Sequence, residues 1–167
     1  MKKRSFIALL LVVLLSFFVG CEQPHWVRLS KERVEDVVEI QLIYYRNPEA
    51  LKIGEQDTRT IPFDFEKMEI IEIMSEEKAE VFLYAFDEVE FEYDYEPHDS
   101  PNGYSLRLLF GNGDFMIISF DICHYSAIFD KDGNLIEFYG RSTIYTIAGR
   151  VGVNSFFSTP IVSEIGY

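Results

Sequence analysis

Three acidic residues are spaced so that they could bind one metal ion. Glu90, Glu92 and Asp94 alternate with aromatic residues in the segment VEFEYDY. Alternate residues of a β-strand project from one face, so the three carboxylates would form a row. Carboxylate oxygens are the preferred ligands of Ca²⁺, which takes about six to eight of them. Same-face neighbours are about 7 Å apart, so a nearby loop would have to complete the site. A solvated strand face is the simpler interpretation.

The histidines do not form a recognisable catalytic or metal-binding motif. His98, Asp99 and Ser100 are triad residue types, but consecutive loop residues cannot form a nucleophile–base–orienter array by themselves. Cys123 and His124 are consecutive in a predicted strand and would point to opposite faces. The sequence also contains no Gly-x-Ser-x-Gly motif, Walker loop or dinucleotide-binding fingerprint. No cofactor is predicted, and a small cell-wall hydrolase using His98 or His124 is kept only as an alternative.

The N-terminal segment carries the clearest chemical assignment. The cationic residues 2–4 precede an almost unbroken apolar run from Phe6 to Val19. A cationic stretch followed by about 7 to 15 apolar residues is typical of a secretory signal peptide, whereas a membrane-spanning helix needs about 20. The sequence therefore predicts a signal peptide over residues 1–20.

The apolar run ends at Val19, Gly20 and Cys21, and this ending resembles a bacterial lipobox. In that motif a small residue precedes a cysteine that receives a diacylglyceryl group and becomes the first residue of the mature chain. Phe18 stands where leucine is usual. Two acyl chains anchor a protein stably, whereas one chain binds only marginally. The prediction is a protein held on the extracytoplasmic face of the cell membrane by lipid at Cys21.

The mature chain would be strongly acidic. The sequence has 15 Lys and Arg against 28 Asp and Glu, and the leader contributes three of the cations and no acid. Cleavage before Cys21 leaves 147 residues with 12 basic and 28 acidic side chains, a net charge of −16. This charge repels phosphates, which excludes nucleic acid as a partner and predicts that the domain stands away from anionic lipid head groups. With Cys21 lipidated, Cys123 has no partner for a disulfide.

Polar composition and Pro24 predict a short tether over residues 21–33, which becomes ordered near Trp26 or Leu29. The remaining residues, 34–167, are predicted to form one acidic domain. Period-two alternation predicts strands at 34–45, 67–74 and 89–95, and the turn sequences at 111–114 and 130–134 predict two hairpins with strands at 105–110, 115–120, 124–129 and 135–139. The doublet Ile70–Ile71 interrupts this alternation and predicts a β-bulge. Residues 141–167 give no confident assignment.

One amphipathic helix is predicted after Ser75, which has the character of an N-cap. Its apolar stripe is Ala79, Phe82, Leu83 and Phe86. The later strands are joined by turn sequences, and Asn112–Gly113 predicts a type I′ hairpin turn. Segregated strands and a single main helix predict an α+β fold, with an antiparallel sheet of about five to seven strands and the helix packed on one face.

Three stretches of the chain resemble a known group of proteins. VVEIQLIYYRNPEA, PFDFEKMEIIE with SEEKAEVFL, and HDSPNGYSLRLLFGNGDFMIIS are similar to small predicted lipoproteins of Gram-positive bacteria, over roughly Val34 to Gly140. The resemblance implies a secreted, lipid-anchored module and supplies no catalytic residue or ligand. The overall prediction is a non-catalytic lipoprotein that binds a protein or a cell-wall component. Calcium binding at residues 88–96 is the first alternative.

Overall fold

The computed structural model of the protein describes residues 25–46, 63–93, 103–120, 125–144 and 155–159. These residues contain eight strands, two α-helices and a 3-10 turn at Phe65–Lys67. In chain order the elements are β1 His25–Arg28, α1 Lys31–Glu35, β2 Val37–Tyr45, β3 Met68–Ile73, α2 Glu76–Phe86, β4 Glu90–Tyr93, β5 Gly103–Phe110, β6 Phe115–Ser119, β7 Ser126–Phe129 and β8 Leu135–Ser142.

The eight described strands form one antiparallel sheet in the order β1-β4-β8-β7-β6-β5-β2-β3. The predicted α+β class, with its antiparallel sheet and one main helix, is confirmed. The sheet has eight strands, slightly more than the five to seven that were expected. One reason is that His25–Arg28, which was expected to lie in the tether, pairs with β4 as an edge strand.

Helix α2 packs on one face of the sheet through the predicted stripe. Phe82 and Phe86 are buried, and Ala79 and Leu83 pack against the same core. The Phe86 ring lies 6.0 Å from that of Phe91 in β4, measured between centroids. Acidic residues occupy the first turn of α2, where the helix dipole favours negative charge. The prediction of this helix and of its buried side is therefore confirmed.

The opposite face of the sheet is also buried, and we call its apolar side chains the second-face cluster. Phe115 of β6 and Phe129 of β7 stack with their centroids 5.3 Å apart. Phe63 packs against both rings, at 5.1 and 5.3 Å. Every residue of β6 and β7 is buried, in keeping with their continuous runs of largely apolar sequence. The prediction placed a helix on one face of the sheet and nothing on the other, whereas both faces are buried in the structure.

The first predicted strand begins later than expected, because its first residues belong to helix α1. Ser30 caps this helix, and its hydroxyl accepts a hydrogen bond from the Arg33 amide at 3.3 Å. The apolar side chains between α2 and the sheet form what we call the helix-side core. Val34 is buried in this core, and it lies in α1 rather than in a strand. The serine cap satisfies an otherwise free amide of the first turn, which favours the helical conformation.

The predicted bulge in β3 is confirmed. Leu42 of β2 pairs with Glu72, whereas the next residue, Ile43, pairs with Ile70, so Ile71 is the extra residue. Ile71 packs against the helix-side core. A bulge of this kind re-aims one side chain without ending the strand pairing.

The turn between β5 and β6 differs from the predicted type I′ turn. Gly113 has a φ of +93°, but Asn112 does not have a positive φ. The Gly113 amide donates to the Phe110 carbonyl at 2.9 Å, which places the turn one residue earlier, with the left-handed glycine after it. A longer loop with one glycine at positive φ avoids the cost of placing Asn112 in the left-handed region.

Glu72 connects the segment Ser155–Thr159 to the edge strand β3. The amides of Ser158 and Thr159 donate to its carboxylate at 2.9 Å, and the Thr159 hydroxyl donates at 3.1 Å. These hydrogen bonds, that of the Ser158 amide first, hold the pKa of Glu72 below its usual value of 4.5. A carboxyl with a lowered pKa in the folded state contributes stability that is present above the unfolded-state pKa and is lost as the pH falls through the folded-state pKa.

We therefore expect Glu72→Gln to speed amide hydrogen exchange of Ser158 and Thr159 at neutral pH, because the charged acceptor is gone. The difference from wild type should persist at pH 4.5 and disappear only as the pH falls further, through the lowered folded-state pKa at which the wild-type carboxyl becomes protonated. Hydrogen exchange with mass spectrometry of the peptide containing residues 155–159, corrected for intrinsic rates, measures this. Glu69→Gln, on an exposed position of the same strand, is the control. Equal exchange in both variants would contradict the prediction.

Candidate functional site

The edge formed by β1 and β4 carries two of the three predicted metal ligands. The antiparallel register places Trp26 opposite Glu92 and Arg28 opposite Glu90. Paired residues of an antiparallel sheet project from the same face. The structure therefore collects two carboxylates, one guanidinium and one indole on one side of this edge. On the other side, Phe91 is buried in the helix-side core.

The Glu90 carboxylate already forms an ion pair with Arg28, so it is not available to bind a metal ion. Arg28 donates to Glu90 Oε1 from Nη2 at 3.1 Å and from Nε at 3.2 Å. The two side chains are 55% and 41% exposed, so the ion pair contributes on the order of 0–1 kcal/mol. The Glu90 amide donates to the Thr143 hydroxyl at 2.8 Å, which fixes the strand position. A cation at Glu90 would have to displace the guanidinium.

This geometry gives little support to the hypothesis that residues 88–96 bind Ca²⁺. The structure does place Glu90 and Glu92 on one strand face, as the alternation predicts. However, the described residues contain no group of three His, Cys, Asp or Glu side chains that could hold a metal ion. Asp94, the third predicted ligand, lies outside the described residues. Cys21, His98, Cys123 and His124 also lie outside them.

A second polar cluster, which no sequence motif indicated, lies on the face of the sheet opposite α2. Arg107 of β5 donates from Nη1 to Gln41 Oε1 at 3.2 Å, and Gln41 Nε2 donates to Glu39 Oε1. The guanidinium carbon lies 4.5 Å from the ring centroid of Phe115 and 5.7 Å from that of Phe65. A cation over aromatic faces at this range is stabilised by about 0.5–2 kcal/mol.

Burial shapes the electrostatics of this cluster. It lowers the pKa of Arg107, and the negative charge of Glu39 opposes that effect. The guanidinium stays protonated because its pKa starts far above neutrality. Arg107 Nε and Ser105 Oγ are buried without a hydrogen-bond partner among the described residues. Gln41 is only 4% exposed. The cluster therefore belongs to the interior of the sheet and offers little open surface to a ligand.

A shallow depression of about 440 Å³ lies beside the 3-10 turn. It is lined by Tyr44, Arg46, Glu66, Lys67, Met68 and Glu69. Arg46 lies over the Tyr44 ring at 5.8 Å, and Lys67 pairs with Asp64 at 3.5 Å. Its charges are of both signs, and both of its cations already have partners. The arrangement does not resemble a nucleophile with a base and an orienting group.

Comparison of the chain with models of protein families, with curated proteins and with solved structures finds no match. Neither of the two described helices is long and apolar enough to cross a membrane.

Proposed function

We propose that this protein is a lipid-anchored, extracytoplasmic binding module without catalytic activity, attached to the membrane through Cys21. The observation that carries the proposal is the leader, in which the cationic residues 2–4 and the apolar run Phe6–Val19 end in Gly20–Cys21. Its length suits a cleaved signal peptide better than a spanning helix. A diacylglyceryl group on the Cys21 sulfur would supply the stable anchor that two acyl chains give.

The domain supports binding more than chemistry. Both faces of its sheet are filled by apolar clusters, and the polar cluster around Arg107 is largely internal. The depression beside the 3-10 turn is shallow and carries charges of both signs. A net charge of −16 on the mature chain, 12 basic against 28 acidic side chains, attracts cationic ligands. The partner is therefore a protein or cell-wall component that presents positive charge.

The lipid anchor makes a direct prediction for Cys21→Ser. The variant should accumulate as an uncleaved precursor or appear in the soluble fraction, and it should lose incorporation of labelled fatty acid, because the modified sulfur is absent. Membrane fractionation with palmitate labelling measures both. Cys123→Ser is the matched control and should remain labelled and membrane-bound. If Cys21→Ser is cleaved and still retained in the membrane like wild type, something other than lipid on Cys21 holds the mature chain and the proposal fails.

The non-catalytic part of the proposal has its own test. The purified mature chain should show no hydrolysis of cell-wall polymers. An activity abolished by His98→Ala or His124→Ala, with folding unchanged, would replace the binding module by the hydrolase alternative.

A further inference from the structure

The distance between the proposed lipid and the folded domain is short. Strand β1 begins at His25, and only three residues separate it from Cys21. Four steps from one Cα to the next span at most about 14 Å, whatever conformation the chain adopts. Only residues 21–24 of the expected tether over 21–33 precede β1, because strand β1 and helix α1 already take up the rest.

Strand β1 is a fixed part of the domain. All four of its residues pair in register with β4. Val27 packs against the helix-side core. On the other side, Arg28 is held by two hydrogen bonds to Glu90. The N-terminal attachment therefore restrains one particular edge of the sheet, rather than a loose segment in front of it.

The exposed indole of Trp26 on this edge suits a lipid interface. Trp26 is 40% exposed, next to the point of attachment. Tryptophan is enriched at membrane–water interfaces, where its apolar ring and polar N–H are both accommodated. Arg28 pairs with one of the two carboxylates on the same face, which reduces the negative charge at this edge.

We propose that the β1 edge of the sheet faces the membrane, with Trp26 seated among the lipid head groups of the leaflet that holds the Cys21 anchor. This inference rests on the proposed lipid attachment. The opposite edge, β3, lies seven strand spacings of about 4.8 Å away along the sheet and points toward the cell-wall side. The acidic domain was expected to stand away from the membrane surface, and the three-residue connection limits that separation.

Fluorescence quenching tests the orientation, because Trp26 is the single tryptophan of the chain. The full lipidated protein, its acylation verified by mass, is reconstituted in phosphatidylcholine vesicles with or without brominated acyl chains. Seating at the interface predicts a large loss of Trp26 emission in brominated vesicles compared with unbrominated ones. The matched control is the double variant Trp26→Phe/Ile70→Trp, since Ile70 is 46% exposed on β3. Its emission should be nearly unchanged.

A variant with a longer spacer distinguishes the closeness of Trp26 to the membrane from the anchoring of the protein by its lipid. Insertion of about ten Gly and Ser residues between Gln23 and Pro24 should abolish the quenching while the protein stays in the vesicles. If lipidated wild type is quenched no more than the Ile70→Trp reporter, the orientation is wrong although the anchor stands. If the purified protein carries no acyl mass, the proposed anchor fails, and the orientation falls with it.

Discussion

Phe82→Ala should destabilise the folded domain by about 3–5 kcal/mol. Phe82 is fully buried between α2 and the sheet. Its ring stacks on Phe86 and meets Phe156 edge-on, with both centroid distances at 5.5 Å. Truncation removes these contacts and leaves a cavity that the surrounding rings cannot fill. Since domains of this size have about 5–15 kcal/mol of stability in total, the loss would be a large fraction of it.

Denaturant unfolding of the mature chain without its lipid measures this loss. Tyr84→Ala is the matched control, because it truncates an aromatic side chain two residues further along the same helix. Tyr84 is 87% exposed, so its truncation should change the free energy of unfolding by no more than about 0.5 kcal/mol. Similar losses for the two variants would mean that α2 does not pack on the sheet through Phe82.

Gly133→Ala should cost more than about 2 kcal/mol, whereas Gly113→Ala should cost about 1 kcal/mol. Both glycines have positive φ, at +87° and +93°. A Cβ at Gly133 would lie 2.7 Å from the Phe63 carbonyl oxygen, whereas one at Gly113 would meet only the Lys131 Cβ, at 3.4 Å. The Phe63 amide also donates to the Gly133 carbonyl at 2.7 Å. Alanine at position 133 would therefore combine backbone strain with a clash against the segment that packs on the second-face cluster.

The difference between the two glycine variants is the informative quantity, because the backbone strain is common to both. It can be read from urea unfolding of both variants under identical conditions. Equal losses would show that the chain around Phe63 yields easily, and that its contact with the β7–β8 turn does not hold it on the sheet.

Much of this fold could be predicted from local patterns in the sequence. The stripe of α2 and the bulge at Ile71 both follow from side-chain periodicity within a few residues. Strand β1 could not be found in that way. The stretch HWVR is short and mixed, and its partner β4 lies about 60 residues away, as the Arg28–Glu90 pair shows. Pairing across such a separation leaves no mark on local periodicity.

The same distinction between local patterns and long-range pairing applies to the candidate sites. That Glu90 and Glu92 share a face follows from period two alone. The neutralisation of Glu90 by Arg28 depends on the long-range register of β1, so the sequence could not reveal it. Arg107 offered one local clue, since it occupies the same face of its strand as the buried Ser105. Its aromatic partner Phe115 becomes visible only through the β5–β6 register and side-chain packing.

The central claim, that lipid on the Cys21 sulfur holds the domain, is tested most directly by the mass of the N-terminal tryptic peptide. The protein is extracted from membranes and digested at Lys and Arg. We predict a peptide Cys21–Arg28 that carries the added mass of a diacylglyceryl group. An unmodified peptide Ser5–Arg28, with the apolar run still attached, would contradict the claim.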